Sequence, residues 1–434
     1  MSRAKRMLAA TIAASAAVAM GWMAWAELPV PGPLARPAPA SQKGMPTDLV
    51  VMVSPGGKPA TPEIVALGQK LFFDGRLSAD GTVSCATCHV PEKGFTDQLP
   101  TSKGIRNQVG QRNAPTVLNA MFNQTQFWDG RAITLEDQAK LPILNPIEMG
   151  AKSPDEVVAK VAKIPEYAEA FPKLFGHAPT YDDIASAIAA YERAQAAFDS
   201  PFDRFLEGDE KALSAAAKRG WTLFNGKGRC ISCHGVNQTH PMFTDDKFHN
   251  VGVAAHKSDF VKLAREGLAA LEKGDAADID RLALETHFSE VGRFLVTKQP
   301  ADIGAFKTSG LRNLLVTEPY FHDGSMATLW DVLDHYNKGG EQNPFLDGGI
   351  QRLNLSEKEE DDLVEFMATL TSSRYSAAAE KELAHQRQLK ATKRPNRDTA
   401  AASGAGHVGE GLKGPFGDPV PPPAAKDPAR LGGR

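Results

Sequence analysis

Cys85-Ala86-Thr87-Cys88-His89 and Cys230-Ile231-Ser232-Cys233-His234 carry one pattern, C-x-x-C-H, with their first cysteines 145 positions apart. In that pattern two cysteine thiols add to haem vinyl groups as thioethers, and the adjoining histidine reaches the iron as its proximal ligand. The 434-residue chain has four cysteines, and the two stretches use all of them. No disulfide and no spare thiol remain. A zinc site built from two C-x-x-C knuckles does not need a histidine after each pair. A redox C-x-x-C does not explain two copies that both end in histidine. The pattern predicts two covalently bound c-type haems, one on Cys85, Cys88 and His89, the other on Cys230, Cys233 and His234.

Hydrophobic residues make up 42% of the chain and charged residues 23%, ordinary values for a soluble globular protein, and the length allows two or three domains. A net charge of −3 argues against nucleic acid as a main partner. The N-terminus reads as an export signal. Arg3, Lys5 and Arg6 precede an uncharged stretch over 7–26 that ends in Ala24-Trp25-Ala26, a signal-cleavage pattern. Haem attachment to C-x-x-C-H takes place outside the bacterial cytoplasm, so signal and motifs together point to the periplasm. The apolar stretch is also long enough to anchor the chain in the inner membrane if it is not cleaved.

The reading divides the chain into a signal or anchor (1–26), a proline-rich linker (27–60), two haem units (61–205 and 206–375) and a low-complexity tail (376–434). Helical spacing of apolar residues predicts helices over 155–162, 167–175, 182–198, 212–224, 259–273, 276–285, 329–336 and 357–370. Strand signals are few, so the fold class is all-α. Thr61-Pro62-Glu63-Ile64 marks the first folded helix through an N-cap followed by proline. Gly68-Gln69-Lys70-Leu71-Phe72 and Gly220-Trp221-Thr222-Leu223-Phe224 share G-x-x-L-F and precede the two haem motifs, a weak internal repeat. The tail predicts a frayed helix and then disorder.

Further stretches exceed a generic cytochrome c. Arg112-Asn113-Ala114-Pro115-Thr116 and Phe127-Trp128-Asp129-Gly130-Arg131 follow the first haem motif. Glu318-Pro319-Tyr320-Phe321-His322-Asp323-Gly324-Ser325 and His335-Tyr336-Asn337-Lys338-Gly339-Gly340 follow the second. With these motifs in this order, the chain resembles the bacterial dihaem cytochrome c peroxidase and MauG superfamily over roughly 61–370. The resemblance implies two cytochrome c-like domains with one haem each, a peroxide-reacting N-terminal haem and an electron-transfer C-terminal haem. It implies distal roles for Gln138 and Glu148, a place between the haems for Trp128, and a calcium ion held by Asn113 and the backbone oxygens of Thr317 and Pro319.

Each residue also has a plainer reading. Glu148 can take a proton from one peroxide oxygen and deliver it to the other, or it can cap a turn. Gln138 can be a surface amide, Trp128 a core aromatic, and Asn113 the end of a turn. Calcium accepts backbone carbonyls as hard oxygen ligands, so a site with few side-chain ligands fits it. Arg112, Arg131 and Arg312 are candidates for haem propionates or for the solvated surface. His249 and His322 are candidates for supporting groups near the haems or for ordinary packed positions.

Two departures bear on the subtype. Classical peroxidase members carry a distal histidine in the loop after the first haem, and here residues 90–112 contain none. The resemblance then implies a first haem open to peroxide without prior reduction, unless a methionine from elsewhere fills the position. Classical members also ligate the second haem with methionine, and here the matching position is Tyr336, as in MauG-like members. Methionine raises the potential of haem iron, whereas a phenolate favours the higher oxidation states. His335 is a rival ligand, with Met326 and Met242 behind it.

Three functions follow. The first is a periplasmic dihaem peroxidase that reduces hydrogen peroxide with electrons from a small cytochrome c or cupredoxin. The second is a MauG-like oxidase that uses a high-valent dihaem state to oxidise residues of a partner protein. The third is a non-catalytic electron carrier, which Glu148 and the missing distal histidine disfavour.

Overall fold

The structure, a computed structural model, describes residues 60–236, 242–256, 259–273 and 278–393. The export segment, the proline-rich stretch up to residue 59 and the tail from 394 lie outside the described residues. The helices are α1 (Pro62–Phe73), α2 (Cys85–Cys88), α3 (Leu135–Leu144), α4 (Pro154–Lys163), α5 (Pro165–Phe175), α6 (Tyr181–Arg193) and α7 (Pro201–Leu206). They continue with α8 (Ala215–Asn225), α9 (Phe260–Lys273), α10 (Asp278–Glu285), α11 (Phe294–Thr297), α12 (Leu329–Asn337), α13 (Glu357–Ala368) and α14 (Ser376–Lys393). The extended structure among the described residues is slight: β1 (Phe248–His249) pairs antiparallel with β2 (Phe306–Lys307), beside a few isolated bridges.

The predicted helices are present, with boundaries moved by local chemistry. Thr61 accepts from the backbone N–H of Ile64 at the start of α1, as its cap position requires. The helix predicted over 182–198 stops at Arg193. Residues 195–198 instead bond to the Asn119 loop, where Asn119 donates its backbone N–H to Gln195 O and accepts from Ala197 N.

The repeated glycines have a packing cause. α1 crosses α6, and a Cβ on Gly68 would lie 1.7 Å from the carbonyl oxygen of Ala187. α8 crosses α13, and a Cβ on Gly220 would lie 1.9 Å from that of Asp362. Only glycine allows either helix pair to approach so closely. Phe72 and Phe224, four residues on, are fully buried beneath the crossings. One continuous apolar core joins the two crossings and holds Leu71, Phe95, Tyr191, Phe202, Phe243 and Phe366.

The 254–299 insertion builds a second core of its own, from Phe260, Leu263, Leu271, Leu282, Phe294 and Leu295, against which Trp128 packs. The beginning of the tail is ordered. α14 docks through Gln386, which is fully buried. Its side chain accepts from Leu329 N at 2.9 Å and donates to the Tyr320 hydroxyl at 3.0 Å.

Candidate active site

Each C-x-x-C-H forms one tight turn that sets its histidine. In the first, Ser84 and Thr87 make a capping box around α2, and His89 N donates to Cys85 O at 2.9 Å. The chain then reverses, and Phe95, at φ 58°, brings its carbonyl to 3.1 Å from His89 Nδ1. In the second, His234 N donates to Cys230 O at 2.8 Å. Phe243, also at φ 58°, places its carbonyl 2.9 Å from His234 Nδ1. A carbonyl can only accept, so Nδ1 carries the proton in both rings and Nε2 keeps a lone pair. That is the tautomer a metal-binding imidazole needs. Burial lowers the proton affinity of both histidines, and it pushes the thiols of Cys88 and Cys230 up to about 12. A neutral thioether suits such places better than a thiolate, so these residues fit covalent haem.

Two cavities follow. Cys85, Cys88 and His89 line the first with Gln138, Pro142, Glu148 and Met149. Cys230, Cys233 and His234 line the second with Tyr336, Met242 and His249. His89 is the one histidine that lines the first cavity among the described residues. His335 does not line the second. It donates Nε2 to the Val251 carbonyl at 2.7 Å, and the cavity position belongs to Tyr336. Burial raises the proton affinity of the Tyr336 phenolate.

Asn113, Ala114, Pro115, Thr116, Phe127 and Trp128 line both cavities, so the two motif stretches form the wall between them. Trp128 donates its indole N–H to Asn113 O at 2.9 Å. Asn113, Thr317 and Pro319 all line the second cavity. The Asn113 amide nitrogen donates to Leu99 O at 3.0 Å. Lys307 also lines both cavities, and burial pushes its amine down to about 8.

Glu148 sits on the turn that follows α3. Its Oε2 is buried, with no hydrogen-bond partner among the described residues. Burial pushes its carboxyl up to about 8, the charge of Asp280 adds to this, Arg131 opposes it and Glu285 contributes least. The candidate arginines divide. Arg112 lines the first cavity, donates Nη2 to Ser289 O at 2.6 Å and leaves Nε without a hydrogen-bond partner among the described residues. Arg131 is held by Asp129 and Asp280. Arg312 is paired through both Nη atoms with Asp203, at 2.9 and 2.6 Å. His322 stacks on Phe306 at 3.7 Å and faces Glu290 at 3.1 Å. His249 lies between Asp245 and Asp347.

A longer internal repeat lies here, missed by the sequence reading although its signal is plain. Phe127-Trp128-Asp129-Gly130 and Phe321-His322-Asp323-Gly324 stand 194 residues apart, and so do Thr134-Leu135-Glu136-Asp137 and Thr328-Leu329-Trp330-Asp331. The geometry repeats at the same offset. Phe127 and Phe321 have φ of 65° and 69°. Thr134 and Thr328 accept from the backbone N–H of Asp137 and Asp331, at 3.0 and 3.1 Å. Asn119 and Asn313 accept from Ala197 N and Ser372 N, at 2.8 and 2.9 Å. The offset pairs Trp128 with His322 and Pro142 with Tyr336. Asp280, Glu192 and Lys307 were also missed, and their sequence surroundings carry no motif that singles them out.

Comparisons with known proteins agree with this architecture. The family model for di-haem cytochrome c peroxidases matches residues 62–211. The chain is 40% identical over 318 residues to the methylamine utilization protein MauG of Methylorubrum extorquens, covering 73% of this chain and 80% of that one. It is 41% identical over 281 residues to the cytochrome c551 peroxidase of Pseudomonas aeruginosa, covering 64% and 72%. A solved MauG-like protein associated with microbial copper homeostasis superposes with a TM-score of 0.61 at 31% identity, covering 79% of this chain and 95% of that one. The chain belongs to the di-haem cytochrome c peroxidase family, MauG among its relatives, and is a two-haem oxidoreductase.

Proposed function

We propose that the protein is a periplasmic dihaem peroxidase that reacts with hydrogen peroxide in the first cavity. Electrons arrive through the second cavity from a small cytochrome c or cupredoxin. The observation that carries this reading is Glu148, whose buried Oε2 has no hydrogen-bond partner among the described residues, in the wall of the cavity that His89 serves. The haems supply the redox chemistry when bound. His89 and His234, each oriented by a phenylalanine carbonyl, would hold them. Glu148 in its carboxylate form accepts a proton from peroxide and returns it to the departing oxygen. Gln138 lines the same cavity and orients the bound oxidant. Trp128 stands in the wall through which an electron passes from the second site to the first.

Asn113 and the carbonyls of Thr317 and Pro319 form the calcium position of the same proposal, a hard-oxygen set in the lining of the second cavity. The two haem units, 61–205 and 206–375, are the corresponding domain proposal. Among the described residues no helix is long and apolar enough to cross a membrane.

A second reading rests on Tyr336. An oxygen ligand on the second iron favours storing oxidising equivalents over accepting electrons from ordinary donors. That arrangement suits a MauG-like oxidase acting on side chains of a partner protein. The absorption and EPR spectra of the ferric protein, before and after one equivalent of hydrogen peroxide, test the proposal. A high-spin haem that reacts at once supports it. Two low-spin haems that stay inert until one electron is added overturn the open first site, and a classical reductively activated peroxidase then becomes the better account.

A further inference from the structure

We propose that Asp280, supplied by the 254–299 insertion, is a positioning residue for the first cavity, holding Asn145 and Arg131 so that the turn between them and the cavity presents Glu148. The inference rests on the reading of Glu148 as the proton-handling group and extends it to a segment to which no role is otherwise assigned.

Asp280 lies on α10 and joins two groups far away in sequence. Its Oδ2 accepts from Asn145 Nδ2 at 2.6 Å, and its Oδ1 accepts from Arg131 Nε at 2.9 Å. Asn145 is the hub of the Glu148 turn. Its Oδ1 accepts from Ile147 N at 3.0 Å, and its carbonyl accepts from Glu148 N at 3.1 Å and from Gly150 N at 2.8 Å. Once Asp280 holds the Asn145 side chain, the amide cannot flip or turn away, and the loop that carries Glu148 has one arrangement. Two neighbouring ties keep α10 in register. Gln111 N donates to Leu284 O at 2.9 Å, and Leu284 itself lines the first cavity. Arg112 donates to Ser289 O just beyond the helix.

Asp280 also sets the charge seen by Glu148. The charged and titratable groups that face Glu148 are Asp280 and Glu285 from α10, Arg131 from the wall, and Cys85 and Cys88 from α2, which carry no charge as thioethers. Asp280 repels an ionised Glu148 and also occupies Arg131, the cation that would favour ionisation. Both effects have the same sign, so removing the Asp280 charge makes Glu148 easier to deprotonate.

The test uses the exported protein with both haems. The infrared carbonyl band of protonated Glu148, identified as the band absent from E148Q, is titrated in the parent, D280N and D280A. D280N is nearly isosteric and keeps an acceptor for Asn145. Its band midpoint should fall by about one pH unit, with the melting temperature little changed. D280A should also slow the peroxide reaction at the first haem by about tenfold, and D280E should recover part of the loss. If both variants leave the band midpoint and the rate within about twofold of the parent, the proposal is overturned, whether or not the melting temperature drops. Normal peroxide reactivity in E148Q would instead sink the proton-handling reading, and a shifted Glu148 band in D280N would still identify the link.

Discussion

Pro142 stands in the first half where Tyr336 stands in the second. Each lies eight residues beyond the threonine that caps its helix, Thr134 or Thr328, and each lines the cavity of its own C-x-x-C-H motif. A proline side chain has no atom that can ligate a metal, whereas a phenol oxygen can. The same position is thus closed to iron in one half and offered to it in the other.

Y336F should therefore change the EPR spectrum of one haem and leave the other untouched. Y336M should raise the reduction potential of that same haem, as methionine ligation does. A spectroelectrochemical titration reads both. Unaltered potentials in the two variants would remove Tyr336 from the iron's surroundings.

Glu148 sets a pH dependence. Its carboxyl, pushed up to about 8 first by burial, is protonated below that value and cannot accept a proton from peroxide. The rate constant of the ferric protein with hydrogen peroxide should rise as pH rises through about 8 and level off above it. E148Q should be slower by about 10²–10⁴-fold, with a flat profile. Stopped-flow absorption gives the profile, and a parent rate independent of pH across that range would contradict the assignment.

Glu192, on α6, is buried in the first cavity with Oε2 lacking a hydrogen-bond partner among the described residues. Burial pushes its carboxyl up to about 8, with Arg193 opposing and Glu136 adding. An unfolded chain releases this proton near 4.5, the ordinary value for a glutamate carboxyl, while the folded chain keeps it until about 8. The folded state therefore binds more protons across this window, and stability falls as pH rises through it. E192Q should be more stable than the parent at pH 8, by about 4 kcal/mol, and equally stable at pH 4, as thermal melting reads it. Equal melting at both pH values would show that Glu192 ionises normally.

The Trp128 variant separates the two sites. W128F removes the indole and its bond to Asn113 O but leaves Glu148 and His89 in place. The first haem should still react with peroxide, while re-reduction through the second haem slows. Single-turnover kinetics with and without a reduced donor distinguish the steps. Unchanged re-reduction would place the electron path elsewhere.

Gln386 tests whether α14 belongs to the fold. Q386A leaves the Leu329 N–H and the Tyr320 hydroxyl without their buried partner, at a cost of about 1–3 kcal/mol. Thermal melting should show this directly. A parental melting temperature would mean that α14 is peripheral.

Much of this architecture was legible in the sequence because it depends on short-range chemistry. C-x-x-C-H implies haem attachment from spacing alone, and the order of the later motifs carried Glu148, Trp128 and Tyr336 to positions that do line the two cavities. The 194-residue repeat is equally legible in F-x-D-G and T-L-x-D, which recur at one offset although the residues within them differ. Asp280 was not legible. It lies in Asp278-Ile279-Asp280-Arg281-Leu282, an ordinary amphipathic helix, and its partners Arg131 and Asn145 are more than a hundred residues away. The docking of α14 was hidden for a related reason, because a single buried glutamine in a polar helix leaves no periodic trace.

The shared apolar core has a mechanical consequence. A hinge needs two bodies whose interiors can part, and here Phe72, Tyr191, Phe202 and Phe366 belong to one interior. Swinging one half against the other would expose that interior to water, at about 25 cal/mol for every Å² uncovered. The spacing between the two cavities is therefore fixed when the chain folds, and movement falls to individual side chains in the partition rather than to the halves.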